Sequence, residues 1–297
     1  MQKEGFQFNK DSIDTKEKSS ITEAKSGNEK LLEFIKEISE KLKKEGVPVN
    51  EDCRIDMSEF TLVHNYTEIA KDKEMLGEFE KMHNPGLTKE EIKEKKNRRD
   101  GERFEMLKTA LFSKFLGEKF IIARSSEYDD IKRGVDNLIL EKSTGNLVCA
   151  FDEVVDISEK DKKKKENEMK DRYEEKKKKI KDQNIEWGGG KIKYGIGIKD
   201  GKVILKEYEN TPIFYLKVLK EELHKNLDKL IPSFDEKSPE EIELFDNLIN
   251  SLAEQYAELK IDEDKLRPNI KESLAKFGKV LKGIKKERKR EKFLASQ

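Results

Sequence analysis

The sequence predicts an α+β protein in which a central mixed β-sheet is packed by helices and flanked by helical segments at both ends. Three observations predict this class. Apolar residues recur at helical spacing near both ends of the chain, short apolar runs separated by turn residues fill the middle, and no internal repeat is evident. Helices and sheets each bury one apolar face, so this order of elements favours a layered α+β architecture.

The N-terminal part of the chain predicts an arm followed by helices. Residues 1–27 are polar and lack periodicity, which predicts a mobile arm. Residues 28–86 form a helical N-terminal segment, because apolar side chains recur at helical spacing from Leu31 to Leu42 and the span Thr67–Met82 is followed by the breaker Asn84-Pro85-Gly86.

The middle of the chain, residues 87–231, predicts the α/β core. Thr88 with Glu91 three residues later is a capping box, and it predicts a helix that extends to Leu116. The strands, the hairpin across Asp200-Gly201 and the closing helix follow from apolar runs and turn signals. These elements are expected at 119–123, 135–142, 147–155, 191–199, 202–208, 211–216 and 219–230.

The last part of the chain, residues 232–297, predicts a C-terminal helical segment with a basic end. Its helices are expected at Glu240–Leu259 and from Pro268 to Phe293. The end of the second helix is rich in Lys and Arg, and we expect it to contact nucleic acid through phosphate groups, although helix-dipole complementation and solubility also favour such residues there. The basic side chains are Lys282, Lys285, Lys286, Arg288, Lys289, Arg290 and Lys292.

Composition excludes several classes of protein. The chain has 297 residues, 42 % of them charged, and Lys+Arg equals Asp+Glu at 63 each. The zero net charge excludes a globally basic nucleic-acid binder but not a local basic patch. No run approaches the ~18 apolar residues of a membrane span, the chain start lacks an apolar signal core, and two cysteines are too few for a disulfide framework. We therefore expect no membrane association and a cytoplasmic location.

Acidic residues in the two middle strands predict a site. Asp136 lies early in one strand, Asp152 and Glu153 lie at the far end of the next, and the turn at Ser143–Asn146 makes the strands a hairpin. A two-residue turn places Asp136 opposite Glu153, whereas a one-residue slip or bulge places Asp152 there. Facing carboxylates repel unless a cation or proton lies between them, and their oxygens suit Mg²⁺ or Mn²⁺. Solvated strand-end acids are the alternative interpretation.

These residues resemble the PD-(D/E)XK nuclease superfamily, which has a restriction-endonuclease-like core. The similarity covers roughly residues 88–216 and consists of helix acids at Glu102 and Glu105, a short strand, Asp136, and Asp152-Glu153 sixteen residues further on. It implies metal-dependent hydrolysis of phosphodiester bonds, with DNA favoured over RNA as substrate. Asp136, Glu153 and Asp152 would then hold Mg²⁺ or Mn²⁺, and Glu105 or Glu102 would complete the ligand set unless both are ordinary surface glutamates.

The chain departs from the family motif at its lysine, which in the family positions the attacking water. Val154 and Val155 occupy the two places where that lysine would stand. We expect Lys193 on the following strand to replace it, with other lysines as alternatives: Lys191, Lys160 and Lys162. If none reaches the site, the protein is a catalytically inactive nuclease-fold protein that binds nucleic acid or acts as a helical interaction scaffold.

The segment before Asp136 offers two more acids. Asp129 and Asp130 are expected in a loop ahead of the strand, where they either supply a further metal ligand or hold the loop in place.

Overall fold

The elements follow the predicted order along the chain. The computed structural model describes residues 25–156, 175, 178–186 and 189–295. The helices are α1 (Gly27–Lys44), α2 (Tyr66–His83), α3 (Lys89–Asn97), α4 (Asp100–Leu116), α5 (Glu127–Arg133), α6 (Lys220–Lys229), α7 (Pro239–Ile261) and α8 (Pro268–Ala295). The strands are β1 (Phe120–Arg124), β2 (Asn137–Glu141), β3 (Leu147–Asp156), β4 (Gly190–Lys199), β5 (Lys202–Thr211) and β6 (Ile213–Leu219). Residues 178–185 are also helical.

Four strands form the mixed sheet that defines the α+β class. Their order is β1-β2-β3-β6, and β3 pairs with β6 in parallel while the other neighbours are antiparallel. The hairpin of β4 and β5 forms a separate two-stranded sheet. Its turn residues Asp200 and Gly201 have φ values of 53° and 72°. These are the left-handed conformations that a two-residue hairpin turn requires.

Helix α4 lies at the centre of the apolar core. It packs against α1, β1 and β3, and every residue from Met106 to Lys114 is buried. Helices α7 and α8 pack against β6 and β3 respectively. The buried apolar side chains form one cluster from Leu31 on α1 to Ile284 on α8, so the flanking helices share a core with the sheet. None of the described helices combines the length and the hydropathy that a membrane crossing needs.

Two predicted elements need correction. The helix expected from Thr88 to Leu116 is two helices, because Arg99 has an extended backbone (φ −75°, ψ 133°) and turns the chain between them. The break separates α3, which buries no residue, from the deeply buried α4. The loop expected before β2 contains α5, a short helix capped by Ser126 and ended by Gly134 at φ 65°.

A buried ion pair joins α4 to α7. Lys114 Nζ lies 2.5 Å from Glu241 Oε1, both side chains are fully buried, and Glu241 also accepts a capping bond from Ser238 N at 2.6 Å. Lys114→Met would leave the Glu241 charge buried without its cation, and removing one partner of such a pair costs about 3–5 kcal/mol. Chemical denaturation should show this loss of unfolding free energy.

The matched control adds Glu241→Gln to the Lys114→Met variant. Glutamine removes the charge but can still complete the capping box with Ser238. The double variant should therefore recover most of the lost stability. If Lys114→Met unfolds at the wild-type denaturant concentration, the pair makes no net contribution.

Candidate metal centre

Three carboxylates from separate elements meet at one end of the sheet. Glu105 comes from α4, Asp130 from α5 and Asp136 from the residue just before β2. One oxygen of each lies within 4.8 Å of the others. Glu105 and Asp136 belong to the predicted set, and Asp130 is one of the two acids expected ahead of the strand.

Helix α5 gives Asp129 and Asp130 different roles. Asp129 is fully buried, accepts hydrogen bonds from the backbone N–H groups of Lys193 (2.8 Å) and Tyr194 (3.0 Å), and accepts another from Ser126 Oγ (2.7 Å). It therefore fixes α5 to β4. Asp130, the next residue on the helix, projects toward Glu105 and Asp136. Asp129 thus holds the segment in place, and the role of Asp130 as a metal ligand stays a prediction.

The hairpin register contradicts the expected pairing of Asp136 with Glu153. Strands β2 and β3 are antiparallel neighbours, as predicted, with Asn137 opposite Phe151 and the Asp136 N–H donating to Phe151 O at 2.7 Å. Asp152, the residue after Phe151, is therefore the nearer of the two acids along β3, and its charge acts on Asp136. The expected pairing with Glu153 fails because the turn spans more than two residues, from Glu141 to Asn146, and a bulge follows at Ile139/Leu140.

The side chain of Glu153 lies outside the part of the chain that the structure describes. Its backbone pairs with that of Leu216 on β6. Its predicted role as a metal ligand stays a prediction.

Two buried arginines neutralise the helix acids. Arg124 Nη2 donates to Glu105 Oε2 at 2.6 Å and also to Glu102. Arg54 Nη2 donates to Glu105 Oε2 at 2.8 Å, and Arg54 Nη1 lies 2.9 Å from Asp130 Oδ2. Burial raises the pKa of Glu102, but Arg124 and Arg54 more than offset this and lower it to about 2. Glu102, which the sequence analysis placed among the metal ligands, is a partner of these arginines.

The surrounding protein disfavours the ionised form of Asp136. Burial raises its pKa well above the ordinary value, and the negative charges of Glu105, Asp130 and Asp152 raise it further, against the opposing pull of Lys108. A divalent cation would reverse this balance, because it compensates several carboxylates at once.

Lys108 is a basic residue that the sequence analysis missed. It lies on α4 and is fully buried, with Nζ 5.0 Å from the centroid of the Phe151 ring. Burial lowers its pKa to about 7, while the charges of Asp136, Glu105 and Asp152 act to raise it. The signal was available, because residues three apart share a helix face and Lys108 stands three after Glu105. Lys108 also lies within the apolar stripe of that helix.

The structure does not bring Lys193 to this cluster. Its Nζ lies 2.6 Å from Asp72 and 2.7 Å from Glu68, both on α2. Lys191, its alternative, pairs with Glu209 at 2.9 Å. Lys160 and Lys162 lie outside the described residues. The prediction that Lys193 replaces the motif lysine assumed that its side chain on β4 points to the end of the sheet. The prediction is wrong, because the side chain instead pairs with the two acids of α2.

Two cavities lie on either side of Ile131, which lines both. The acidic cavity, of about 500 Å³, is lined by Glu105 and Asp130 together with residues of α2 and α3. The basic groove, of about 680 Å³, is lined by Asp152, by the end of α5 and by residues between 175 and 191. The acidic cavity therefore reaches Glu105 and Asp130 of the carboxylate cluster, and the basic groove reaches Asp152.

Comparison of the chain with protein-family models, with curated proteins and with solved structures finds no match.

Proposed function

We propose that this protein is a metal-dependent nuclease that hydrolyses phosphodiester bonds in nucleic acid, with DNA as the favoured substrate, on a PD-(D/E)XK-like core. One observation carries the proposal: Glu105, Asp130 and Asp136 converge at the end of a mixed sheet whose next strand carries Asp152. The order along the chain supports the proposal, because α4 with its acids precedes β1, and the antiparallel pair β2 and β3 follows.

The donor set fits Mg²⁺ or Mn²⁺. All three groups are carboxylates, which these hard cations prefer. Their oxygens lie within 4.8 Å of one another, close to the spacing of about 3–4 Å between oxygens that share one Mg²⁺. Bound there, the cation would supply an activated water and stabilise the charge that develops on the phosphate.

The chain's own residues have separable tasks in this proposal. Glu105, Asp130 and Asp136 hold the cation, while Arg54 and Arg124 fix the orientation of Glu105. Lys108 takes the place of the missing motif lysine and positions the attacking water, since its electrostatic partners are Asp136, Glu105 and Asp152. The lysine thus comes from the helix instead of from the strand.

A catalytically inactive relative is the second candidate, and the arginines favour it. Oε2 of Glu105 already accepts bonds from both Arg54 and Arg124, so part of the cluster is an ion network that ties residues near the N-terminus to the core. In such a protein the fold would serve nucleic-acid binding or helical interactions without hydrolysis.

Wild-type protein tests the two candidates directly. The midpoint temperature of thermal unfolding should rise when Mn²⁺ or Mg²⁺ is added and fall back when EDTA removes the metal. A ligand that binds only the folded state stabilises it by about 2.7 kcal/mol at a concentration of a hundred times its Kd. DNA and RNA, single-stranded and duplex, should be tested for cleavage under the same conditions. A thermal shift without cleavage would favour the inactive relative, and no shift would contradict the metal centre.

A further inference from the structure

The two cavities at the carboxylate cluster differ in charge. The acidic cavity has five carboxylates among its lining residues and two Lys or Arg side chains. The basic groove reverses the balance, with Lys132, Arg133, Lys179 and Lys191 against Asp152 and Glu175. The basic groove attracts a polyanion, because potentials in clefts are focused by their low-dielectric walls. In the acidic cavity, Arg54 and Arg124 already compensate Glu102, Glu105 and Asp130.

Three cations of the groove have no salt-bridge partner in the part of the chain that the structure describes. Lys132, Arg133 and Lys179 are exposed, and within the residues that the structure describes none of them forms an ion pair. In a chain where acids and bases are equal in number, such residues are available to phosphate groups. At the end of α8, Arg288 and Lys292 both pair with Asp246, whereas Lys285, Lys286 and Lys289 are exposed and form no ion pair among the described residues. What distinguishes the groove cations is that they line a cavity together with Asp152.

Gly134 leaves the floor of the groove open beside Asp152. Its φ of +65° is a left-handed conformation that side chains rarely adopt, and a Cβ there would lie 3.8 Å from Asp152 Oδ2. The backbone between Arg133 and Asp136 therefore offers no side chain at this position. A phosphate held by Arg133 would therefore meet no side chain at position 134 on the way to Asp152.

We infer that the basic groove binds the phosphate backbone of the nucleic-acid strand, so that the strand reaches the candidate metal centre past Asp152. The inference rests on the proposed function and differs from the sequence-based expectation that the end of α8 makes this contact. Phosphate contacts dominate affinity for nucleic acid and give it a steep dependence on salt.

The test compares two charge-reversed triple variants that carry the same change in net charge. One is Lys132→Glu with Arg133→Glu and Lys179→Glu in the groove. The other is Lys285→Glu with Lys286→Glu and Lys289→Glu, three exposed lysines of α8. Binding of a fluorescently labelled DNA oligonucleotide is measured by anisotropy in EDTA over a range of salt concentrations. Each variant is also tested for thermal stabilisation by Mn²⁺.

The groove variant should bind the oligonucleotide about tenfold more weakly than wild type, or weaker still. The slope of log affinity against log salt concentration should become shallower by about two to three, because each lost phosphate contact lowers the slope by about 0.7–0.9. The α8 variant should bind as wild type. Excess inorganic phosphate, used as a competitor at equal ionic strength, should displace little of the oligonucleotide.

The opposite results overturn the inference. They are unchanged binding by the groove variant, a loss confined to the α8 variant, full displacement by inorganic phosphate, or no oligonucleotide binding by wild type. The Mn²⁺ shift and the cleavage assay report on the proposed function separately. A groove variant that keeps its Mn²⁺ shift but loses binding supports the groove, and a wild type that binds DNA without any Mn²⁺ shift contradicts the metal centre alone.

Discussion

Asp136→Asn should abolish cleavage and the Mn²⁺-induced thermal shift while raising the stability of the metal-free protein. Asp136 is one of the three acids whose oxygens lie within 4.8 Å of one another. The substitution therefore removes one ligand and one negative charge from the proposed cation site. Removing a single electrostatic stabiliser of a transition state commonly costs about 10²–10³ in rate, and loss of the cation itself should exceed that. Cleavage and thermal unfolding are measured on the same preparation.

The gain in metal-free stability follows from the sign of the pKa shift. Burial and the nearby carboxylates Glu105 and Asp130 raise the pKa of Asp136 in the folded protein above its ordinary value of 3.8. Between those two pKa values the folded state binds more protons than the unfolded state, so wild-type stability falls as pH rises through that interval. Asparagine carries no charge and removes this penalty. The advantage of Asp136→Asn should therefore disappear as the pH falls toward the ordinary value.

Glu141→Gln is the matched control for this variant. Glu141 is an acid at the far end of the same strand, β2, where Thr144 Oγ1 donates to it at 2.6 Å. Its substitution should leave cleavage and the Mn²⁺ shift at wild-type levels. An Asp136→Asn protein that is less stable without metal, or that keeps its Mn²⁺ shift, would assign Asp136 a structural role.

The elements that sequence could predict are those whose signals are local. Apolar spacing and capping residues predict α1, α2 and α7 closely, and Asp200-Gly201 predicts the β4–β5 hairpin, because each signal lies within the element that it specifies. The break at Arg99 was missed although Asp100-Gly101 follows it directly, because this turn signal lies inside α4 in the folded protein. It depends on how α4 is buried against the sheet, which is a property of tertiary packing.

In the candidate site, too, residues with a local sequence signal were predicted and residues whose places depend on tertiary packing were not. Glu105 and Asp136 were found because a carboxylate beside an apolar stripe or strand is unusual. The role of Asp130 was left open between a metal ligand and a loop contact, since its place depends on α5. Lys108 was not assigned, although its spacing from Glu105 was a signal for it. The choice between Asp152 and Glu153 required the turn length and the bulge in β2–β3, and a one-residue shift changes the facing residue.

Lys108→Met should reduce the rate of cleavage about 10²–10³-fold, which is the usual effect of removing one positioned polar group. The metal concentration that gives half of the maximal thermal shift should stay near that of wild type. Lys108 lies three residues after Glu105 on α4, and its charge interacts with Asp136 and Asp152. In the proposed function it positions a water or a phosphate oxygen. Methionine keeps an unbranched chain against Phe151 and so preserves packing. The kcat should fall with little change in KM.

Lys193→Ala distinguishes the role of Lys193 from that of Lys108. Lys193 is held by Glu68 and Asp72, so its removal should loosen α2 and leave the rate of the folded protein nearly unchanged. Rates are compared per folded molecule, with circular dichroism measuring the folded fraction at the assay temperature. If Lys193→Ala loses cleavage and Lys108→Met does not, the strand lysine positions the water, and α2 must release it when substrate binds. If Lys108→Met weakens the Mn²⁺ shift as strongly as cleavage, Lys108 acts on the carboxylates and not on the reacting water.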